Sequence, residues 1–245
     1  MRLGLWILTA AIGTIQWMIP GTAQAQPIQG FYAAAGVGVS IPFATKVTPL
    51  VPGFAGTFNF GQSPGYEGHL GLGYALGNGW RFEVEATLGR ASVNGIGGTG
   101  FPATASGTVS QRAIMSNAIF DLDVGSPWVY PYLGVGVGYR STQLDNFTVR
   151  QTNRPLTFTS GSGAGGLAIQ AIMGASFPIP NMPGLSVTAE YRLTDMVGGQ
   201  RFNGATTLGT LTAGGIAKFH NQFGQSAIFG VRYAFNTPAP AAVSR

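Results

Sequence analysis

Cysteine is absent from the chain. That removes disulfide staples, zinc–thiolate sites and thiol nucleophiles from consideration. Charge is scarce too: Asp, Glu, Lys and Arg make up 9% of residues, against roughly 25% in a soluble domain. Long apolar runs are missing beyond the N-terminal region, although a membrane helix needs about 20 consecutive apolar residues. What is plentiful is glycine, 39 of 245 residues, and aromatic side chains, 11%. A chain of positive mean hydropathy with no membrane helix points to strands that cross a bilayer.

The one N-terminal run reads as a signal peptide over Met1–Ala25. Arg2 is its positive start, Leu3–Pro20 holds its apolar core, and Ala23-Gln24-Ala25 is a small-x-small cleavage site. An anchor helix is the alternative reading, but Gly13, Thr14 and Gln16 interrupt the apolar core.

The clearest pattern runs from Trp128 to Arg140. Val129, Pro131, Leu133, Val135, Val137 and Tyr139 form one apolar row. Trp128, Tyr130, Tyr132, Gly134, Gly136 and Gly138 form the other, aromatic at one end and bare at the other. A spacing of two is that of a strand. Grease on one face and glycine on the other suits a wall between lipid and a narrow, filled lumen.

Seven further stretches repeat this pattern: Tyr32–Ile41, Tyr66–Leu76, Trp80–Ala91, Val109–Leu122, Leu167–Phe177, Leu185–Asp195 and Gln222–Phe235. Gly77-Asn78-Gly79 joins two of them as a tight hairpin. The connections alternate long and short, with long polar loops expected over Pro42–Gly65, Ser92–Ser106, Ser141–Ser162 and Met196–Asn221. The expectation is an all-β chain: an eight-stranded antiparallel up-and-down transmembrane barrel over residues 26–235, with a disordered tail over 236–245. A secreted two-sheet sandwich would put charge on the outer rows, where almost none is found.

Three segments carry a family resemblance: Pro131–Tyr139 (PYLGVGVGY), Ala189–Arg192 (AEYR) and Phe229–Phe235 (FGVRYAF). With them the chain from about Gly30 to Phe235 resembles the eight-stranded outer-membrane barrels of the OmpA/opacity-protein (OmpX-like) type. The resemblance implies a bacterial outer-membrane location, short periplasmic turns, long extracellular loops and a last strand read by the barrel-insertion machinery. It specifies fold well and function poorly, since such barrels include adhesins, anchors and a few enzymes. The chain departs from two-domain members, with no segment after Phe235 for a peptidoglycan-binding domain, and from members that end on a terminal aromatic.

Charged groups on the inner rows form the most informative polar set: Glu67, His69, Arg81, Glu83, Glu85, Asp121, Glu190, Arg192 and Arg232. The Gly77–Gly79 turn brings Glu83 near Gly73 and Glu85 near Gly71, leaving room for long side chains. Eight strands leave an interior just wide enough for side chains, so these charges are expected to pair with each other. A gated proton or ion path is the sharper alternative.

The other basic residues gather in or beside the long connections: Lys46, Arg90, Arg112, Arg140, Arg150, Arg154, Arg201 and Lys218, opposed there by Asp145 and Asp195. They are expected to form a positive rim facing lipopolysaccharide phosphates. Nucleic acid is not an expected partner, host or other surface ligands are, and Trp80, Trp128, Tyr130 and Tyr74 suit a periplasmic aromatic girdle.

Several strings look chemical and are discounted. Gly61-Gln62-Ser63-Pro64-Gly65 spells GxSxG, but a nucleophile elbow needs a strand before it and a helix after it. Gly134-x-Gly136-x-Gly138 lacks nucleotide-loop spacing. His69 faces inward and His220 has no nearby acid, so neither catalysis nor a metal site is expected. Asn146-Phe147-Thr148 is a sequon by spelling only. The expected function is non-enzymatic and cofactor-free: an envelope-structural barrel with a charged, closed lumen. A narrow ion-conducting pore is the alternative, and a lipid A-modifying enzyme comes third.

Overall fold

The computed structural model describes residues 28–50, 57–97 and 102–235. The expected signal peptide, Met1–Ala25, and the tail from Asn236 lie outside the described residues. Within these, the chain forms one antiparallel sheet of thirteen strands. β1 (Gln29–Pro42) and β2 (Thr45–Pro49) are separated only by Phe43-Ala44. β3 (Phe58–Gln62) and β4 (Gly65–Leu76) are separated by Ser63-Pro64. β5 (Trp80–Gly97), β6 (Ala103–Asp121) and β7 (Tyr130–Gln151) run without a break. β8 (Leu156–Ser160) and β9 (Gly163–Pro178) are separated by Gly161-Ser162, and β10 (Leu185–Met196) and β11 (Gln200–Leu208) by residues 197–199. His220-Asn221 divides β12 (Leu211–Phe219) from β13 (Gln222–Ala234).

The pairings return on themselves twice. At the end with short turns, β1 pairs with β4, and the order continues through β5, β6, β7, β9, β10 and β13, which pairs back with β1. At the other end, the tip, β2 pairs with β3, and the order continues through β5, β6, β7, β8, β11 and β12, which pairs back with β2. Closure in both rings leaves no edge strand to be satisfied by solvent.

The two ends differ in which face is apolar. In the first ring the greasy rows point out: Phe31, Leu70, Leu72, Val135 and Phe229 are each 65–69% exposed. A continuous exposed apolar surface of this extent marks contact with a membrane. On β1 the outward row runs from Phe31 to Ile41. Ten steps at about 3.3 Å, tilted by roughly 40°, give a band about 25 Å tall, the height of an outer-membrane apolar belt.

In the tip ring the order is reversed. Val47, Phe60, Val109, Leu144, Phe147, Val149, Leu156, Phe158, Phe202, Ala217 and Phe219 form a buried cluster inside it. Phe158, Phe147, Phe60, Phe219 and Phe202 link in a chain of ring contacts with centroids 4.8–6.3 Å apart. Lys46, Asn59, Arg150, Arg201 and Asn203 point outward on the same strands.

These strands occupy the segments expected to be long polar loops. That expectation is corrected: strands fill most of these segments, and the tip connections that lie wholly within the described residues are only 152–155 and 209–210. Phase slips accompany the inversion. On β7 the buried row is Tyr132 to Leu144 on even positions, then Phe147 and Val149 on odd ones. Asn146 absorbs the extra residue with φ 51°, opposite a register shift at Gly107, whose φ is 136°.

The Gly77–Gly79 turn has positive φ at both glycines, 81° and 94°, and Trp80 N–H donates to Asn78 Oδ1 at 3.2 Å. Gly38 is required by close approach: a Cβ there would lie 2.0 Å from the Ala227 carbonyl oxygen. Phe202 is fully buried and stacks edge-on to Phe219. Phe202→Ala should destabilise the tip ring by about 3–5 kcal/mol. The expected readout is faster protease cleavage in the tip strands, with the heat-modifiable gel shift of the folded protein retained. Gly38→Val, in contrast, should abolish that shift.

Candidate functional site: the charged lumen

Strand parity decides which side chains enter the lumen. The odd positions of β4, β5 and β6 and the even positions of β1, β7, β9, β10 and β13 point inward in the membrane-side ring. Glu67, His69, Arg81, Glu83, Glu85, Asp121, Arg192 and Arg232 are buried there, and Glu190 is nearly so. All nine inward residues read from the sequence lie in this one interior.

Eight of them fall into four linked groups. At the short-turn end, Arg81 grips Asp121 in a fork: Nε donates to both carboxylate oxygens at 3.1 and 2.9 Å, and Nη2 donates to Oδ1 at 2.9 Å. The guanidinium carbon lies 5.3 and 5.0 Å from the ring centroids of Tyr32 and Tyr132, one cation held by two aromatic rings. Arg232 joins from β13, 4.0 Å from Asp121, and donates to Ser176 Oγ at 3.0 Å.

In the middle, Arg192 lies between two carboxylates. Its Nη1 donates to Glu85 Oε1 at 2.7 Å, while Nε and Nη2 donate to Glu190 Oε2 at 2.8 and 2.5 Å. Tyr132 Oη donates to the other Glu190 oxygen at 2.7 Å and Thr87 Oγ1 to Glu85 at 2.9 Å. Beside them, Gln170 donates to Asn117, which donates to Glu83. Towards the tip, Ser226 donates to Glu67 at 3.3 Å.

Glycine provides the room. Gly73 is opposite Glu83 and Gly71 opposite Glu85, as the hairpin register requires. The space is used diagonally, however. A Cβ on Gly71 would lie 2.8 Å from the Glu83 carboxyl carbon, and one on Gly73 would lie 2.3 Å from the Tyr32 ring. Gly174 makes the same allowance for the Tyr132 ring and Gly36 for the His69 imidazole. Tyr32, Tyr132, Asn117, Gln170, Ser176 and Ser226 are network members that charge alone did not single out. Their inner-row parity was the available signal.

Arg140 is a correction. It was expected on the basic rim, yet it continues the inner row of Gly134, Gly136 and Gly138, and its guanidinium donates to Gln111 Oε1. Tyr139 takes the outward position, 59% exposed. With Glu67, Gln111 and Thr194, Arg140 lines two polar hollows of about 20 and 10 Å³. Volumes of this size hold about one water each. Above them the aromatic cluster of the tip ring fills the bore, apart from an apolar hollow of about 30 Å³.

The remaining rim residues lie outside the lumen. Arg90, Arg112, Arg150, Arg154 and Arg201 are exposed and Lys218 is half-buried. His220 Nε2 is 3.2 Å from Thr48 Oγ1. Ser63 of the GxSxG string sits in a two-residue break between β3 and β4, with strands on both sides. Among the described residues, no group of three or more His, Asp or Glu side chains could hold a metal ion.

Removing one partner from a buried ion pair leaves a buried charge without compensation, at about 3–5 kcal/mol. Arg192→Met should therefore destabilise the barrel by roughly that amount. The triple change Arg192→Met, Glu85→Gln, Glu190→Gln should recover most of the loss. Urea unfolding in detergent micelles, followed by tryptophan fluorescence, measures both.

Comparison with known proteins agrees with this architecture. A family model described as the outer membrane protein beta-barrel domain matches residues 8–214. An "Outer membrane protein" of Gluconacetobacter diazotrophicus is 37% identical over 186 residues, which is 72% of this chain and 48% of that relative. The match thus spans about half of that relative's length. Among solved structures, OprG from Pseudomonas aeruginosa aligns with a TM-score of 0.59 at 13% identity, covering 86% of this chain and 99% of that one. Neisserial surface protein A aligns with a TM-score of 0.50 at 20% identity, covering 86% and 100%. The chain belongs to the outer-membrane β-barrel family, and its place is the bacterial outer membrane.

Proposed function

We propose that the thirteen strands are eight staves of one barrel, five of them broken at a common height, and that this barrel is a closed, non-enzymatic structural element of the envelope. Support for the stave count is the order of pairing. Joining β1 to β2, β3 to β4, β8 to β9, β10 to β11 and β12 to β13 gives the same neighbour sequence in both rings. The short turns are then periplasmic and the tip ring extracellular.

The observation that carries the closed-lumen reading is the filling of the bore. Ion-paired side chains occupy its membrane half, and phenylalanines occupy its tip half. The hollows between them are water-sized, too small for a substrate or a continuous ion path. The non-enzymatic reading draws on the same filling, and on the pairing of His220 with a threonine instead of a carboxylate. The tip ring would present surface to extracellular or host ligands. The outward basic residues Arg90, Arg112, Arg150, Arg154, Arg201 and Lys218 would face lipopolysaccharide. A narrow ion pore is the second reading, favoured by the half-buried Arg140 beside Glu67 in a polar hollow.

Planar-bilayer recording separates the two. The closed lumen predicts no steady conductance from the purified protein. Steady openings that Glu85→Gln abolishes would defeat it and establish the pore.

A further inference from the structure

The outward charges are not spread evenly around the tip ring. Arg201 on β11 and Lys218 on β12 are directly paired across the strands, and Lys218 is paired on its other side with Thr48 of β2. His220 N–H donates to the Lys46 carbonyl oxygen, which sets those two residues side by side one level lower. Cross-strand neighbours on one face have Cβ atoms about 5 Å apart, and residues two apart on one strand lie about 7 Å apart. Lys46, Arg201, Lys218 and His220 thus occupy a compact grid, with the Thr48 hydroxyl inside it.

Like charges placed opposite each other destabilise a sheet, and no carboxylate among the described residues makes an ion pair with these. The ion pairs of Arg81, Arg192 and Arg232 lie in the lumen. The outward carboxylate of this sector, Asp195, is paired across strands with Phe223, below the grid, and makes no ion pair with it. Gly198 and Gly199 leave the flank of the grid bare, and Lys218 Cε would lie 2.9 Å from a Cβ at Gly199.

The apolar belt begins immediately below. Phe43 and Phe223 stack on the outer surface with centroids 5.3 Å apart, each 43% exposed. Each lies three residues from the grid along its own segment: Phe43 from Lys46, and Phe223 from His220. Cations immediately above exposed aromatics, at the top of a lipid-facing band, match an amphiphile with phosphate in its headgroup and acyl chains beneath it.

We propose that this sector of β2, β11 and β12 is a binding site for one phosphorylated glycolipid of the outer leaflet, of the lipid A class. Lys46, Arg201 and Lys218 hold its phosphates, and Phe43 with Phe223 supports its acyl chains. The inference rests on the barrel orientation proposed above. It narrows the basic rim to one sector and adds His220 to it. The remaining rim cations, Arg90, Arg112, Arg150 and Arg154, lie elsewhere on the wall and have no part in the site.

The test uses the full chain in nanodiscs of neutral phospholipid, with purified bisphosphorylated lipid A as probe and native mass spectrometry as readout. The triple variant Lys46→Glu, Arg201→Glu, Lys218→Glu should weaken binding about tenfold or more, while Arg150→Glu with Arg154→Glu changes it less than about twofold. Lys46→Arg with Lys218→Arg should retain binding, and dephosphorylated lipid A should lose it. Retention of the heat-modifiable gel shift shows that each variant is folded. Equal loss in the triple and the Arg150/Arg154 variants would overturn the localised site and leave a diffuse basic rim standing. No loss in either would remove both. Tighter binding of phosphatidylglycerol than of lipid A would overturn the assignment of the lipid.

Discussion

Backbone N–H and C=O groups facing acyl chains have no water to bond, and this constraint organises the whole molecule. It requires the wall to close, and the pairing of β13 with β1 closes it. A narrow closed wall then has an interior that only side chains can fill, so the inner rows must carry groups that satisfy one another. Arg192 between Glu85 and Glu190, and Arg81 between Asp121 and two tyrosines, meet that requirement. Their charges are tolerable in a low-dielectric bore because each guanidinium finds a carboxylate: Arg81 on the adjacent β6, Arg192 on its own strand and, across the lumen, on β5.

The same wall meets a second environment above the belt, and its faces change places there. Below the breaks, lipid lies outside and ions inside. Above them, water lies outside and phenylalanine inside. Each apolar side chain in the tip cluster removes surface from water at about 1.5–3 kcal/mol, so this ring has its own hydrophobic core. The membrane ring depends on lipid and on its internal ion pairs.

The membrane half was legible in the sequence because its two rows differ so sharply. Val135 and Val137 against Gly136 and Gly138 leave no doubt about parity, and parity alone assigns Glu85, Arg192 and Arg232 to the interior. Arg140 continues the inward row of Gly138, a parity that its place at the end of the apolar alternation obscures. The tip half was illegible for a different reason. Phe58 and Phe60, or Phe147 and Val149, alternate as regularly as any belt strand, but with inverted polarity and amid Gly, Pro and Thr. A search for grease pointing outward passes over them. The pairing of Arg201 with Lys218 depends on register between β11 and β12, which no local pattern fixes.

Because the strands continue past the belt, little of the outward surface is a free loop. Among the described residues the connections at the tip are short, and most of what an antibody or receptor would meet there is a twisted, hydrogen-bonded wall. Its epitopes are assembled from residues far apart in the chain, such as Lys46 beside His220. They are already ordered before contact, so recognition there costs little conformational entropy. Linear peptides copied from these segments would lack that assembly and would imitate the surface poorly.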